Sequence, residues 1–245
     1  MIQLLITGKS GRMGQTLLEA AEANPEAEVA STHDVGEDLA AAFAKADTAI
    51  DFTIHSFTGE VLQAALENNT RLVIGTTGHT DEERAAIVEA SRSIPIVWAA
   101  NYSVGVNTLF WLTRKAAQVL KQETFDIEVV EMHHRHKIDA PSGTARRLLE
   151  ILNEETGTSY TDDVKHGRFG ITGARTQREI GMHTLRGGDV VGDHTVMFAA
   201  DGERVEFTHK ASSRMTFASG AVRAAVWLAD KEPGLYDMQD VLGLK

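Results

Sequence analysis

Short apolar segments alternate with segments of helical spacing through the first hundred residues. The apolar segments are bounded by polar residues, which predicts buried strands, and the segments between them carry one apolar face, which predicts helices. We predict strands over residues 2–7, 28–32, 48–53, 71–75 and 94–99, and helices over residues 12–24, 38–45, 59–68 and 81–91. This alternation predicts an α/β fold whose N-terminal domain has a Rossmann-like parallel sheet covered on both faces.

The pattern changes near residue 104. From there we predict helices over residues 106–121, 143–155 and 216–228, strands over residues 126–132, 182–185, 189–200 and 203–210, and a polar loop over residues 156–173. Asp201-Gly202, between the last two strands, is a hairpin signal. We therefore predict a smaller α+β domain with a mixed sheet over residues 105–214, and a first domain formed by residues 1–104 together with 215–245.

A glycine-rich turn joins the first predicted strand to the first predicted helix. Gly8, Gly11 and Gly14 follow a G-x-x-G-x-x-G spacing. Glycine permits a sharp turn, and the N–H groups at a helix start bind phosphate. Asp34 follows the second strand, where a carboxylate can accept hydrogen bonds from an adenosine ribose. These features predict a dinucleotide site; the alternative is a tight turn without a ligand.

The residue after Asp34 and two later strand ends refine this cofactor prediction. Val35 stands where an arginine would favour a 2′-phosphate, so NADH is favoured over NADPH, although Lys9 and Arg12 leave NADPH open. Residues 75–78 and 99–102 follow the fourth and fifth strands. Because ligands of parallel sheets lie beyond the carboxyl ends of the strands, we expect both segments at the cofactor crevice. For residues 75–78, an ordinary turn is the alternative.

Composition and charge exclude several classes of function. Lys plus Arg is 24 and Asp plus Glu is 35, giving a net charge of −11, which argues against nucleic acid and anionic membranes as partners. Hydrophobic residues make up 42%, as in ordinary globular domains. Cysteine is absent, which excludes disulfides, a thiolate nucleophile and cysteine metal sites. The first residues lack the features of a signal peptide, so we expect a cytoplasmic protein.

Residues 133–137 concentrate positive charge and imidazole groups in this acidic chain. The run contains His133, His134, Arg135, His136 and Lys137. Such a patch suits a small dianion, and histidine and lysine can both carry protons. The alternatives are a metal site, which the spacing disfavours, and a solvated basic surface.

Individual histidines of the chain can also be satisfied structural groups, and we expect this of His136, His194 and His209. The residues after the run predict a helix start. Ser142 is a plausible N-cap, and the N–H groups of Gly143 and Thr144 would then suit a substrate carboxylate.

The run H-H-R-H-K-I-D-A-P-S-G-T-A, residues 133–145, resembles the signature of the 4-hydroxy-tetrahydrodipicolinate reductase family. The resemblance extends over nearly the whole chain, through GKSGRMG, IDFT, VIGTTG, AANYSVGVN, GDVVGDHTVMF and THKASSRMTFASGAVRAAVWL. It implies hydride transfer from NADH or NADPH to C4 of the cyclic substrate, with loss of the 4-hydroxyl as water, in lysine biosynthesis through diaminopimelate. It also implies a homotetramer formed through the sheet of the second domain.

The resemblance also implies roles for particular residues. His133 would be the general acid/base and Lys137 the proton donor, with no metal. His134, Gly143 and Thr144 would bind the dicarboxylate substrate. The cofactor would be bound by Gly8, Lys9, Ser10, Gly11, Arg12, Met13, Asp34, Gly75, Thr76, Thr77, Ala99, Ala100, Asn101 and Tyr102.

Two other classes of function remain open on the residues alone. An NAD-binding regulator without turnover would keep the glycine loop and Asp34, but it has no need of His133 and Lys137. A hydrolase using a histidine-bound metal is the second alternative. The residues leave open which of Lys137 and His133 delivers the proton.

Overall fold

The computed structural model describes residues 1–245, which form two compact units. The first unit contains Met1–Val104 and Arg214–Lys245, and the second contains Gly105–Ser213. No helix in the chain is both long enough and apolar enough to cross a membrane.

Strands and helices alternate through the N-terminal part of the first unit, as the apolar periodicity predicts. They are β1 (Ile2–Thr7), α1 (Arg12–Glu22), β2 (Ala27–His33), α2 (Leu39–Phe43), β3 (Thr48–Asp51), α3 (Thr58–Asn68), β4 (Arg71–Ile74), α4 (Asp81–Ala90) and β5 (Pro95–Trp98). Local capping sets several helix starts: Thr80 and Glu83 form a reciprocal capping box at α4. The predicted ends differ from these by a few residues at most.

The second unit is built on a mixed five-stranded sheet, which confirms the predicted fold class. Its elements are α5 (Val104–Val119, which starts at the unit boundary), β6 (Asp126–His133), α6 (Gly143–Thr156), β7 (Val164–His166), β8 (Ile180–Arg186), β9 (Gly192–Ala200) and β10 (Glu203–Ala211). The strand order is β10-β9-β6-β8-β7. β6 pairs antiparallel with β9 and parallel with β8, and Asp201-Gly202 closes the β9–β10 hairpin.

One prediction for this unit is wrong. β7 lies inside residues 156–173, which the sequence analysis assigned to a loop. The strand is three residues long, too short to show a period, and its parallel pairing with β8 is what orders it.

Strand β6 carries residues of different kinds on its two faces. Its residues alternate strictly between buried and partly exposed positions. The buried face carries Ile127 and Val129, which join the core with Leu148 and Leu152 of α6. Side chains on a strand point to the same face every second residue. Glu131 therefore lies on the same face as Ile127 and Val129, and its carboxylate is buried.

The C-terminal segment returns to complete the first unit. It contains α7 (Met215–Trp227), β11 (Gly234–Tyr236) and α8 (Met238–Leu242), of which the sequence predicted only α7. The first sheet has the order β11-β5-β4-β3-β1-β2, and every pair is parallel. The carboxyl ends of all its strands therefore lie at one edge, with the reversal of strand order between β1 and β3.

Helix α7 packs closely in the core of the first unit because its buried face consists of small residues. Ala218, Ala221, Ala224 and Ala225 are all fully buried. At Gly220 the approach is closest: a Cβ atom there would lie 1.8 Å from the carbonyl oxygen of Tyr102.

We predict that Gly220→Ala lowers the free energy of unfolding by about 1–3 kcal/mol, because the added methyl group forces a backbone shift in a packed core. The matched change Gly59→Ala in α3, where an added Cβ meets no atom within 4 Å, should instead stabilise by up to about 1 kcal/mol. Urea unfolding followed by circular dichroism measures both. Equal stabilities of the two variants would contradict the proposed close packing.

Candidate functional site

The predicted cofactor residues lie at one edge of the first sheet. They follow the carboxyl ends of four parallel strands: residues 8–13 follow β1, Asp34 follows β2, residues 75–77 follow β4 and residues 99–102 follow β5. Parallel pairing thus gathers segments that are up to ninety residues apart in sequence along one crevice edge.

The glycine-rich turn leaves the start of α1 open. Gly8 has a φ of 66°, and its carbonyl oxygen accepts a hydrogen bond from Gly11 N at 3.0 Å. A Cβ at Gly14 would lie 2.1 Å from that same oxygen, so only glycine fits there. No side chain caps α1. The N–H groups of its first turn therefore lack a helical acceptor and can bind phosphate.

Asp34 is fixed next to this turn by backbone donors. Its carboxylate accepts hydrogen bonds from Ser10 N and Val35 N, both at 2.9 Å. The bonds from Ser10 and Val35 hold the pKa of Asp34 below its usual value, so the group is ionised at neutral pH. An ionised carboxylate in this position can accept hydrogen bonds from hydroxyl groups of a ligand.

Glu37 is a second carboxylate at this position, and the sequence analysis missed it. It accepts a hydrogen bond from Asp34 N at 2.8 Å and forms an ion pair with Lys9. The hydrogen bond from Lys9 lowers the pKa of Glu37. The signal in the sequence is its position three residues after Asp34, where a tight turn brings the two side chains together.

Asp51, at the end of β3, is fully buried at the same sheet edge. Three threonine hydroxyl groups donate to its carboxylate: Thr7 at 2.6 Å, Thr53 at 2.7 Å and Thr76 at 2.6 Å. Asp51 therefore ties the end of β1 to the segments after β3 and β4. Thr76, a predicted cofactor residue, uses its hydroxyl proton in this network.

Tyr102 is also buried rather than facing solvent. Its hydroxyl group lies 2.9 Å from the carbonyl oxygen of Ile74 and 3.0 Å from that of Val97. Burial raises the pKa of Tyr102 well above its usual value. The side chain therefore holds the ends of β4 and β5 together.

In the second unit, the predicted substrate residues lie in the segment between β6 and α6. His133, at the end of β6, is 8% exposed, and its Nδ1 lies 2.5 Å from Oε2 of Glu131. Lys137 forms an ion pair with Asp139 at 2.8 Å. No group of three or more histidine or acidic side chains is arranged to hold a metal ion.

Glu131 is a fully buried carboxylate that accepts several hydrogen bonds, and the sequence predicted no role for it. It accepts hydrogen bonds from His133, from Ser142 N at 3.1 Å and from both Nη atoms of Arg186 at 2.9 and 3.0 Å. Burial alone would raise its pKa. The hydrogen bonds from His133 and Arg186 outweigh that effect and lower the pKa to about 2, so Glu131 is ionised.

The start of α6 has the geometry that its sequence predicts. The Ser142 hydroxyl group caps the helix by accepting from Ala145 N at 3.2 Å, and it lies 3.1 Å from Nε2 of His194. Burial, followed by the neighbouring His133, lowers the pKa of His194 to about 3. His194 is therefore neutral, which fits a structural role. Gly143 is exposed, with open space where a Cβ would lie.

Comparisons with known proteins identify the family. Family models described as dihydrodipicolinate reductase, N-terminus and C-terminus, match residues 2–102 and 105–242. A 4-hydroxy-tetrahydrodipicolinate reductase of Akkermansia muciniphila is 66% identical over 244 residues, covering 100% of this chain and 99% of that protein. One of Chromobacterium violaceum is 49% identical, covering 99% of this chain and 98% of that protein.

A solved structure shows the same fold. The dipicolinate-bound dihydrodipicolinate reductase of Paenisporosarcina sp. TG-14 superimposes with a TM-score of 0.78 at 24% identity, covering 98% of both chains. The match includes both the parallel sheet and the mixed sheet, since it spans nearly the whole length. This chain belongs to the dihydrodipicolinate reductase family, whose members are also named 4-hydroxy-tetrahydrodipicolinate reductases.

Proposed function

We propose that this chain transfers hydride from a nicotinamide cofactor to C4 of 4-hydroxy-tetrahydrodipicolinate, using His133 and Lys137 for the proton and releasing the 4-hydroxyl group as water. The observation that carries the residue assignment is the short segment between β6 and α6. This segment carries a buried imidazole, a lysine and the start of a helix within residues 133–143. The reaction belongs to lysine biosynthesis through diaminopimelate.

The first unit binds the cofactor in this proposal. The nicotinamide supplies the hydride, so the protein needs only to bind and orient it. The open start of α1 accepts the pyrophosphate, and Asp34 accepts hydrogen bonds from the adenosine ribose. The segments after β4 and β5, residues 75–77 and 99–102, complete the cofactor site along the same sheet edge.

The second unit binds the dicarboxylate. The N–H group of Gly143 points from the capped start of α6, where the helix dipole favours an anion. Thr144 and His134 lie on the same segment. The dipicolinate bound to the Paenisporosarcina reductase is itself a dicarboxylate, which supports this class of ligand. His133 or Lys137 then supplies the proton that leaves with the 4-hydroxyl group as water.

The ribose end of the cofactor site favours NADH over NADPH. Asp34 and Glu37 place two ionised carboxylates where a 2′-phosphate would lie, and like charges repel. Lys9, the nearby cation, is already paired with Glu37. Val35 adds no charge.

We also propose a homotetramer formed through the second sheet. The face of this sheet opposite Ile127 and Val129 carries Val130, Met132 and Met197, which are only partly buried, and Leu185, which is exposed. The same face also carries polar side chains such as His183, Asp193 and Thr195. Association with a second copy of the chain would bury the apolar side chains of this mixed face.

We predict that the purified protein oxidises NADH, followed at 340 nm, only in the presence of freshly generated substrate. His133→Ala and Lys137→Ala should each lower kcat by about 10²–10⁴-fold if the group carries the proton. The exposed neighbour His136→Ala is the matched control and should keep kcat near the wild-type value. Full kcat in both active-site variants would refute the assignment of roles. No oxidation of either cofactor by folded wild-type protein would favour a non-catalytic NAD-binding regulator.

We predict that Glu37→Ala lowers KM for NADPH about tenfold, which corresponds to roughly 1.4 kcal/mol, because it removes one negative charge and releases Lys9. KM for NADH should change little. The control Glu89→Ala removes an equal charge on α4, where Glu89 pairs only with Arg92. An unchanged KM for NADPH in Glu37→Ala would show that the negative charge of Glu37 does not set the cofactor preference.

We predict that sedimentation equilibrium gives four times the chain mass of 26.6 kDa. Met197→Glu should dissociate the assembly, because it places a charge on the proposed apolar interface. Val119→Glu, on an exposed position of α5, should not. A wild-type monomer, or equal masses for the wild-type and Met197→Glu proteins, would rule out assembly through this sheet face.

A further inference from the structure

We propose that Glu131 is a positioning residue for the reaction, which fixes the tautomer of His133 and holds the two segments that carry Lys137 and Gly143. This inference rests on the proposed roles of His133 and Lys137. Its starting observation is that a fully buried carboxylate collects hydrogen bonds from three separate parts of the second unit.

The contact with His133 fixes which ring nitrogen faces the reaction. An ionised carboxylate can only accept hydrogen bonds, so the proton between Glu131 Oε2 and His133 Nδ1 belongs to the imidazole. In the neutral ring, Nε2 then carries the lone pair. Nε2 is therefore the atom that accepts or donates the reacting proton.

Two neighbours of the His133 ring, Gly192 and His194, add neither bulk nor charge next to Nε2. A Cβ at Gly192, on β9, would lie 3.0 Å from Nε2, so any larger residue there would crowd it. The His194 ring meets the His133 ring edge-on, with centroids 5.1 Å apart, and His194 is neutral. Two charged groups lie at the Glu131 side of the His133 ring, Glu131 itself and Arg186, which is the pairing partner of His133 on β8. Lys137 lies near enough to lower the pKa of His194, so it is a third charged group close to the two rings.

The second set of contacts runs through Arg186 to Lys137. Arg186 donates to both oxygens of Glu131, and its Nη2 also donates to the carbonyl oxygen of Asp139 at 2.6 Å. The Asp139 carboxylate pairs with Lys137. The charge on Glu131 therefore positions the turn that presents the lysine.

The third contact anchors the helix start. Ser142 N donates to Oε1 of Glu131, and the same residue caps α6. The direction in which Gly143 presents its N–H group therefore depends on the same carboxylate. One buried charge coordinates the acid/base histidine, the lysine turn and the carboxylate-binding end of α6.

The test compares Glu131→Gln with Glu128→Gln. Glutamine keeps the shape of the side chain but replaces one carboxylate oxygen by an NH₂ group. That group cannot accept a hydrogen bond from His133, Ser142 or Arg186. Glu128 is a matched control, since it lies on the opposite face of β6 and bonds to another histidine and arginine, His183 and Arg168. We expect Glu131→Gln to lower kcat about 10- to 100-fold, which is the usual effect of removing the hydrogen-bond partner that orients a functional histidine. KM for NADH should stay unchanged. Glu128→Gln should keep kcat.

A spectroscopic readout separates positioning from simple loss of structure. With ¹⁵N-labelled histidine, and with the His133 signals assigned by their loss in His133→Gln, NMR should show the Nδ1–H tautomer in the wild-type protein. In Glu131→Gln it should show a shift toward Nε2–H. Circular dichroism and thermal unfolding establish that each variant is folded. An unchanged tautomer, or an equal loss of kcat in Glu128→Gln, would overturn the proposal.

A second variant keeps the proposal testable if Glu131→Gln does not fold. Gly192→Ala crowds Nε2 without touching Glu131, so it should lower kcat while the Nδ1–H tautomer stays unchanged. Full kcat in Gly192→Ala would show that Nε2 is not the working atom. These results can be told apart from a failure of the proposed function. If the proposed function is wrong, His133→Ala itself keeps full kcat.

Discussion

A carboxylate removed from water must be met by hydrogen-bond donors, and this constraint shapes both units. In the first sheet the buried group is Asp51, with donors from Thr7, Thr53 and Thr76. In the second it is Glu131, with donors from His133, Ser142 and Arg186. In both cases the donors lie at the last residue of a strand, just after a strand, or at the start of a helix. The buried carboxylate thus orders the parts of the chain that the proposed ligands need.

Parallel strand pairing determines where one buried carboxylate can hold several segments of the chain. In a parallel sheet the carboxyl ends of neighbouring strands lie side by side, so one acceptor can reach several loops. Asp51 does this for the end of β1 and the segments after β3 and β4. β6 and β8 are also parallel, which brings the ends of both strands together and lets Arg186 reach Glu131. An antiparallel neighbour would have placed a strand start, and a different side chain, at that point.

The sequence predicted the long, periodic elements and the chemistry of single segments, and it missed what depends on pairing between distant segments. β7 and β11 are three residues each, and neither shows a period by itself. Glu131 stood at the start of the histidine run, but its partner Arg186 lies 55 residues away and becomes its neighbour only through the register of β6 and β8. A carboxylate inside a buried strand, as in Ile-Asp-Phe-Thr around Asp51, is a signal that sequence analysis can use.

Ion pairs and hydrogen bonds also change the interpretation of residues 133–137. In the sequence, residues 133–137 are an isolated cluster of two cations and three imidazoles in a chain of net charge −11. In the structure, Lys137 is paired with Asp139, and His133 shares Glu131 with Arg186. The cationic groups Lys137 and Arg186 are therefore each held by a carboxylate rather than left exposed on an open surface. In the proposed function, a dicarboxylate bound beside Lys137 would compete with Asp139 for the ammonium group. Its affinity would then come from exchanging one carboxylate partner for another, together with the helix start at Gly143, and less from an excess of free positive charge.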